Sequence, residues 1–280
     1  MASFHKSKLM PIGVFILLTS LVIVGVVVAV FIKPLEKLSS SKEAVSNGNQ
    51  PEQKNSYVTV STKYGDVRGL TYRVTHEESI EVFLGVPFAK PPVGELRFSR
   101  PQPVSPWKPE VKDATRYGNM CVQQRTRIYN LTTASEDCLY LNIYSPRQSS
   151  PRSKRSSNTS LPVMLYVHGG SFRNGDSIYF NYTNLALKGV VVVTTNYRLD
   201  GLGFLSTQDD VIPGNFGLLD TGLALEFVKE IIGNFRGNPS QITMFGASAG
   251  LSPCHHGNQR SRTRHATGTC VSSSVLGSTT

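Results

Sequence analysis

The sequence predicts an α/β fold with parallel strands in a covered sheet, and three features predict it. Three segments are almost continuously apolar, as strands buried on both faces are: "LPVMLYV" (161–167), "VVVVTT" (190–195) and "QITMF" (241–245). A helical pattern lies between the last two, and its apolar positions are Ala224, Phe227, Val228, Ile231 and Phe235. With 39% hydrophobic residues in 280, the chain has enough apolar surface for a substantial core. The order strand, helix, strand indicates the α/β class.

The other predicted elements follow in chain order. The folded body begins near Tyr57, where "YVTVS" alternates apolar and polar residues as a half-buried strand does. Next, "EVFLGVP" (81–87) is an apolar run leading into a proline-rich loop, and "CLYLNIYS" (138–145) is a further strand. The low-complexity segment 145–160 separates two strands, so we expect a surface loop there. The last strand, "QITMF", is expected to leave one edge of the sheet unpaired.

The N-terminal residues have the pattern of a membrane span. Residues 12–32 are an uncharged run of about 21 residues, or ~30 Å as a helix, which matches the hydrocarbon core of a bilayer. The alternative is a cleaved signal peptide, whose apolar region is usually about 7–15 residues long and ends in small residues. We expect a short cytoplasmic N-terminus (1–11), a transmembrane signal anchor (12–32) and a flexible stalk (33–56), as in a single-pass type II membrane protein.

Features after the span favour a lumenal or extracellular body, although the lysines on its two sides do not decide the orientation. All four cysteines follow the span, as do sequons for N-linked glycosylation at Asn130, Asn158 and Asn181. The tetrapeptide "RSKR" (152–155) has the spacing read by secretory processing proteases, or it forms an ordinary solvated basic loop. The net charge of +10 is dispersed and accompanies no nucleic-acid-binding motif, so we expect no nucleic-acid partner.

Two short motifs suggest nucleophilic catalysis. "GASAG" (246–250) has the G-x-S-x-G spacing of a nucleophile elbow, a strained strand-to-helix turn that exposes a serine. "HGGSF" (168–172) directly follows an apolar strand, where a glycine-rich turn can aim backbone N–H groups at a carbonyl oxygen. Alone, the first is consistent with chance and the second with an ordinary Gly-Gly turn. Their order along the chain favours catalysis.

Longer motifs in the same order resemble those of the type-B carboxylesterase and cholinesterase family. They are "FLGVPFAKPPVGELRF" (83–98), "SEDCLYLNIYSP" (135–146), "VHGGSF" (167–172), "NYRLDGLGFLST" (196–207), "PGNFGLLD" (213–220) and "GASAG". The resemblance covers residues 57–251 and implies the α/β-hydrolase fold, with only the N-terminal half of its central sheet. It also implies a serine esterase for small-molecule esters, with no metal or other cofactor.

The resemblance implies a role for each residue of the two short motifs. Ser248 is the nucleophile, and the backbone N–H groups of Gly170, Ser171 and Ala249 form the oxyanion hole. The family usually has glycine at the position of Ser171, so the hole requires this serine to adopt unusual dihedral angles. The family usually has glutamate at the position of Ala247, and its loss puts catalytic efficiency in doubt.

The resemblance also concerns the segment between Cys121 and Cys138. These two match the first disulfide of the family, which suits an oxidising compartment; two free buried thiols are the alternative. Cholinesterases place a choline-binding tryptophan between these cysteines, and this sequence has none there. A choline ester is therefore a disfavoured substrate.

The acid and the histidine of the triad are expected after Ser248 in that order. The sequence has no Asp or Glu after Ser248, and residues 252–280 become basic and rich in serine and threonine. We expect a disordered, non-family tail from a frameshift, retained intron or alternative exon. An improvised base in the tail would be His255, His256 or His265, and a zinc site would use Cys254, His255, His256 and Cys270. Neither is favoured, because the spacing matches no common zinc module and Pro253 disrupts the helix after the elbow.

Three interpretations remain at this point. The preferred one is a truncated and inactive form of a serine ester hydrolase. The second is a cholinesterase-like adhesion protein that binds partners without chemistry, which the substitution at Ala247 and the membrane anchor allow but Ser248 argues against. The third is a non-productive product that does not accumulate.

Overall fold

The computed structural model describes residues 56–76, 78–124, 133–148, 160–178 and 181–252, and the backbone of 271–273. All of them belong to the compact unit Gln53–Thr280. The predicted anchor and stalk, the sequons at Asn130 and Asn158, the "RSKR" tetrapeptide and most of the predicted tail lie outside the described residues. In the part that is described, no helix is long and apolar enough to cross a membrane.

Every strand expected from the sequence is present, together with several shorter ones. The strands are β1 (Ser56–Ser61), β2 (Asp66–Arg73), β3 (Glu78–Pro87), β4 (Val111–Asp113), β5 (Met120–Cys121), β6 (Ala134–Ser135), β7 (Tyr140–Gln148), β8 (Leu161–Val167), β9 (Val191–Thr195), β10 (Gly237–Ala247) and β11 (Val271–Ser273). The helices are α1 (Thr183–Ala186), α2 (Asp200–Phe204) and α3 (Phe216–Ile231). Short 3₁₀ turns span Gly94–Leu96, Ile232–Phe235 and Ser248–Leu251.

The main sheet is mixed, with the strand order β1-β2-β3-β7-β9-β8-β10-β11 and β4 beside β2. β9, β8 and β10 run parallel, which confirms the arrangement predicted for these three strands. β1, β2, β3, β7 and β9 pair antiparallel in turn. The expectation of parallel strands is therefore wrong for this half of the sheet. The short turns between β1, β2 and β3 permit only antiparallel neighbours, since a parallel connection needs a long crossover.

The larger core lies between the sheet and α3. All five helical positions predicted to be apolar and buried are at most 2% exposed: Ala224, Phe227, Val228, Ile231 and Phe235. They pack against strand residues of the same cluster, among them Phe83, Leu165 and Val193. Full burial of a large apolar side chain stabilises a fold by about 1.5–3 kcal/mol, so α3 holds the sheet in place by this contact. A smaller cluster on the other face packs α1 against the sheet and includes Val82, Tyr144 and Ala186.

The edge of the sheet beside β10 is partly occupied. Val271–Ser273 pairs in parallel with Phe245–Ala247, although the edge was expected to be unpaired. An open edge presents free N–H and C=O groups that readily accept a further strand. The prediction of a wholly unstructured tail therefore does not hold for Val271–Ser273.

Candidate active site

Ser248 lies at the sharp turn that follows β10. The preceding Ala247 is still extended, with φ −122° and ψ 138°, whereas Ser248 has φ 52°. This left-handed conformation costs a residue other than glycine roughly 1–3 kcal/mol. The chain changes direction at this one residue, and Ser248 is exposed. The turn has the form that the G-x-S-x-G motif predicts.

Two glycines allow the turn to close onto the end of β8. A methyl group at Gly246 would lie 2.5 Å from the carbonyl oxygen of Gly250 and 2.6 Å from that of Val167. A methyl group at Gly250 would overlap the Val167 oxygen and lie 2.7 Å from the carbonyl oxygen of His168. Real side chains do not approach backbone oxygens so closely, so both positions require glycine. The elbow is therefore packed directly against the strand that precedes the glycine-rich loop.

The loop after β8 contacts the elbow and presents backbone donors. A methyl group at Gly169 would lie 3.2 Å from Cβ of Ser248, so the loop lies in contact with the serine. Among the described residues, no acceptor takes the N–H group of Gly170, Ser171 or Ala249. An oxyanion hole consists of such backbone donors, held in place but not yet paired. The loop that begins at Gly169 thus lies against the turn that carries Ser248 and Ala249.

Ser171 adopts a left-handed backbone conformation, which is the one that glycine adopts more easily than serine. Its φ is 55°, and the next residue, Phe172, has φ 60°. The Asp200 N–H donates a 2.7 Å hydrogen bond to the carbonyl oxygen of Phe172, and the ring of Phe172 packs 4.8 Å from that of Phe204. Each left-handed residue costs roughly 1–2 kcal/mol, and these contacts hold the pair in place. The serine is therefore compatible with the loop geometry.

His168 begins the glycine-rich loop but is a structural residue. Its ring stacks on Tyr197 with centroids 4.4 Å apart, and its Nδ1 lies 2.9 Å from the carbonyl oxygen of Gly169. The Tyr197 hydroxyl donates a 2.9 Å hydrogen bond to the carbonyl oxygen of His168. Burial lowers the pKa of His168 to about 4, so the ring is neutral near pH 7. The sequence placed His168 in the motif, but its aromatic partner could be found only in the structure.

A buried ion pair supports the segment on which the loop rests. Nε and Nη2 of Arg198 donate to the carboxylate of Asp220 at 2.9 and 2.7 Å, and the backbone N–H of Arg198 adds a third bond at 2.9 Å. The side chains are 4% and 0% exposed. The pair ties α3 to the segment just before Asp200, whose N–H holds Phe172. Both charged residues lie in motifs of the sequence, but a motif does not show that their side chains are buried and paired.

The disulfide implied by the resemblance joins Cys121 to Cys138, with Cα atoms 4.9 Å apart. Next to it, Arg97 donates two hydrogen bonds, of 2.6 and 2.7 Å, to the carboxylate of Glu136. These bonds lower the pKa of Glu136. The bridge ties the end of β5 to the segment just before β7, and the ion pair holds Glu136 in that same segment.

The described residues place no general base beside Ser248. They contain two histidines, His76 and His168. The ring of His168 is buried against Tyr197, and His76 lies in the turn before β3, four strands from β10 or roughly 19 Å along the sheet. Within the same residues, no cluster of side chains has the composition of a metal site. The histidines and cysteines of the predicted tail lie outside the described residues.

Comparisons with known proteins agree with this arrangement. The profile of the carboxylesterase family matches residues 56–265. The chain is 44% identical to the medium-chain fatty acyl-CoA hydrolase precursor of Anas platyrhynchos, over 74% of this chain and 38% of that protein. It is also 44% identical to carboxylesterase 1F of Mus musculus, over 68% and 35% of the two chains.

Solved esterase structures share the fold, with its mixed sheet. Juvenile hormone esterase from Manduca sexta superposes with a TM-score of 0.64 at 40% identity, covering 71% of this chain and 37% of that one. A thermophilic pNB esterase superposes with a TM-score of 0.61 at 39% identity and covers 40% of that chain. The chain thus spans between about a third and two fifths of the length of these relatives. The extent of the family match and the level of identity establish that this chain belongs to the carboxylesterase family.

Proposed function

We propose that this site supports hydrolysis of small-molecule carboxylic esters with Ser248 as the nucleophile, and that it turns over ester only when a triad acid and histidine act on Ser248. One observation carries the proposal: Ser248 is exposed in a left-handed turn, and the glycine-rich loop packs against it. In the proposed oxyanion hole, the N–H groups of Gly170, Ser171 and Ala249 bind the carbonyl oxygen of the ester as it becomes negative. The relatives support the reaction class, since their names include an acyl-CoA hydrolase and esterases.

The proposed reaction has two steps. A histidine takes the proton of the Ser248 hydroxyl, and Oγ bonds to the carbonyl carbon of the ester. The tetrahedral intermediate then expels the alcohol, which leaves with that proton, and an acyl-serine remains. Water hydrolyses this acyl-enzyme with the same histidine as base. The juvenile hormone esterase structure, with OTFP covalently attached, is consistent with covalent chemistry in a relative.

A polypeptide with these 280 residues is expected to show no ester turnover above that of its Ser248→Ala variant. The physical reason is that no Asp or Glu follows Ser248 in these residues, and no histidine of the described residues lies beside Ser248, so no acid–histidine pair is in place to take its proton. The measurement is release of p-nitrophenol from p-nitrophenyl esters by both purified chains. Serine-dependent turnover at the level of a complete esterase would contradict this prediction.

An adhesion or binding role without chemistry is the second candidate function. Ala247 favours it, because the family usually has a glutamate beside the nucleophile and a methyl group cannot replace its charge. Ser248 and the unpaired loop amides favour catalysis. The two functions differ in whether Ser248 turns over ester in a chimera that carries a triad acid and histidine after it.

We further propose that a carboxylesterase domain at 57–251 follows a signal anchor at 12–32 and a stalk at 33–56. The body would lie in the lumen or outside the cell, as in a type II membrane protein. Two observations support an oxidising, glycosylating compartment: the Cys121–Cys138 disulfide and the exposure of Asn181, whose Oδ1 accepts the Thr183 N–H at 2.9 Å. The family match extends beyond 251, to residue 265.

When the full chain is expressed in animal cells, it is expected to stay in the membrane pellet after alkaline carbonate extraction. Enzymatic removal of N-linked glycans should increase its gel mobility, and Asn181→Gln alone should give a smaller increase. The matched control is Asn234→Gln, because Asn234 is not in a sequon. Release of an unglycosylated chain by carbonate would contradict the proposed topology.

A further inference from the structure

The side chain of Gln123 connects β5 to the end of the glycine-rich loop. It is buried, with 8% exposure, two residues after Cys121. Its Oε1 accepts the N–H of Gly175 at 2.9 Å, and its Nε2 donates to the carbonyl oxygen of Gly175 at 3.0 Å. The same Nε2 donates to the carbonyl oxygen of Cys121 at 3.1 Å. One amide therefore binds both backbone groups of a residue 52 positions away.

The three partners of this side chain require a neutral amide. Two are carbonyl oxygens, which need two donated hydrogens, and the third is an N–H, which needs an acceptor. Glutamate offers only acceptors and would place negative charge against the two carbonyl oxygens. Methionine has a similar length but offers no donor and only a weak acceptor, so it does not replace the hydrogen bonds of the amide. Leaving buried backbone groups unpaired costs about 1–3 kcal/mol each.

Gly175, which is hydrogen-bonded to Gln123, packs against the first residues of the loop that faces Ser248. It has φ 125°, and a methyl group there would overlap Nδ1 of His168 and lie 2.5 Å from the carbonyl oxygen of Gly169. The far end of the loop thus packs directly on its beginning. Between them, the N–H groups of Arg173 and Asn174 donate to the carbonyl oxygen of Gly170 at 2.9 and 3.1 Å.

The other end of this connection is held by a disulfide and by a separate two-stranded sheet of β5 and β6. Cys121 is held by the disulfide to Cys138, and β5 pairs with β6 at Met120–Cys121. Gln123 therefore extends from a covalently restrained segment. We infer that Gln123 is a positioning residue for the oxyanion hole, because it holds Gly175 and through it the backbone of Gly169 and Gly170. This inference rests on the proposed function for the meaning of the loop, but its physical content can be measured without turnover.

The test is residue-resolved amide hydrogen exchange on the full chain in detergent, comparing wild type with Gln123→Met. The N–H of Gly175 is expected to exchange at least about tenfold faster in the variant, since a lost hydrogen bond of ~1.4 kcal/mol corresponds to that factor. The amides of Arg173 and Asn174 should also accelerate, and the N–H resonance of Ser171 should shift. Amides of β9 (Val191–Thr195) should keep their wild-type rates, which a general loss of folding would not allow.

The matched control is Gln102→Met, because Gln102 is an exposed glutamine whose side chain accepts a hydrogen bond from the exposed Lys90. It should leave the exchange of Gly175 unchanged. If the amides of the whole sheet exchange rapidly in Gln123→Met, the exchange rate of the Gly175 N–H is measured in Gln123→Asn instead. Asparagine keeps the amide group but is one methylene too short to reach Gly175. Unchanged exchange at Gly175 in the folded variant overturns the inference. Absence of Ser248-dependent turnover in a folded chimera that carries a triad acid and histidine after residue 251, with normal protection of Gly175, overturns only the proposed function.

Discussion

An Asp220→Asn variant is expected to be less stable than the wild type by about 3–5 kcal/mol, because the Arg198 guanidinium stays buried without a counter-charge. Asp220 accepts three hydrogen bonds from Arg198 and is fully buried. An asparagine side chain loses the charge and turns one acceptor into a donor that faces another donor. The loss of stability should also affect the loop beside Ser248. Arg198 lies two residues before Asp200, and the N–H of Asp200 donates to the carbonyl oxygen of Phe172 in that loop.

Pulse proteolysis of the full chain across a urea series measures this change in the free energy of unfolding. The matched control is Asp113→Asn, which removes the same charge from an exposed ion pair with Arg68 at 3.3 Å. Exposed pairs contribute little, so the control should unfold close to the wild-type urea midpoint. If Asp220→Asn unfolded at the midpoint of the control, the buried pair would not support the fold as described.

The strands near the active site could be predicted from their apolar runs, although only β9 is buried at every position and buried residues alternate with half-buried ones in the second half of β10. β8, β9 and β10 appear in the sequence as apolar runs, and α3 has a clear helical period. The antiparallel half of the sheet was not predicted, because strand direction depends on turn geometry and partner choice rather than on composition. α1 is only four residues long, too short to show a period.

The reactive part of the site was predicted because it is local in sequence. Ser248 lies within one five-residue motif, and Gly170 and Ser171 lie within another. The supporting residues could not be found in this way. Gln123 binds a residue 52 positions away, Arg198 binds one 22 positions away, and the stacking of Tyr197 on His168 depends on two neighbouring strands.

The largest effect is expected from Ser248→Ala in a chimera that carries a triad acid and histidine after Ser248. Residues 1–251 are joined to the part of mouse carboxylesterase 1F that follows its corresponding serine motif. That relative is 44% identical over the shared region, so its remaining strands should pair with β10 and its helices should cover the sheet. Loss of the nucleophile should lower kcat/KM on the order of 10⁴-fold or more, because oxyanion binding alone supplies only a residual rate.

Ala247→Glu in the same chimera provides a second comparison. It restores the carboxylate that the family usually has beside the nucleophile, so it should raise kcat with little effect on the thermal transition. Full activity with Ala247 would mean that the carboxylate is dispensable. No activity until the glutamate is restored would favour a binding role for the natural chain.

The most direct test of Ser248 as the nucleophile is hydrolysis of p-nitrophenyl butyrate by the chimera and by its Ser248→Ala variant, with their thermal transitions recorded in parallel. The predicted result is serine-dependent turnover in the chimera and background turnover in the variant, with both proteins unfolding at the same temperature. Equal turnover by the two folded proteins, or none by a folded chimera carrying glutamate at position 247, would contradict the assignment.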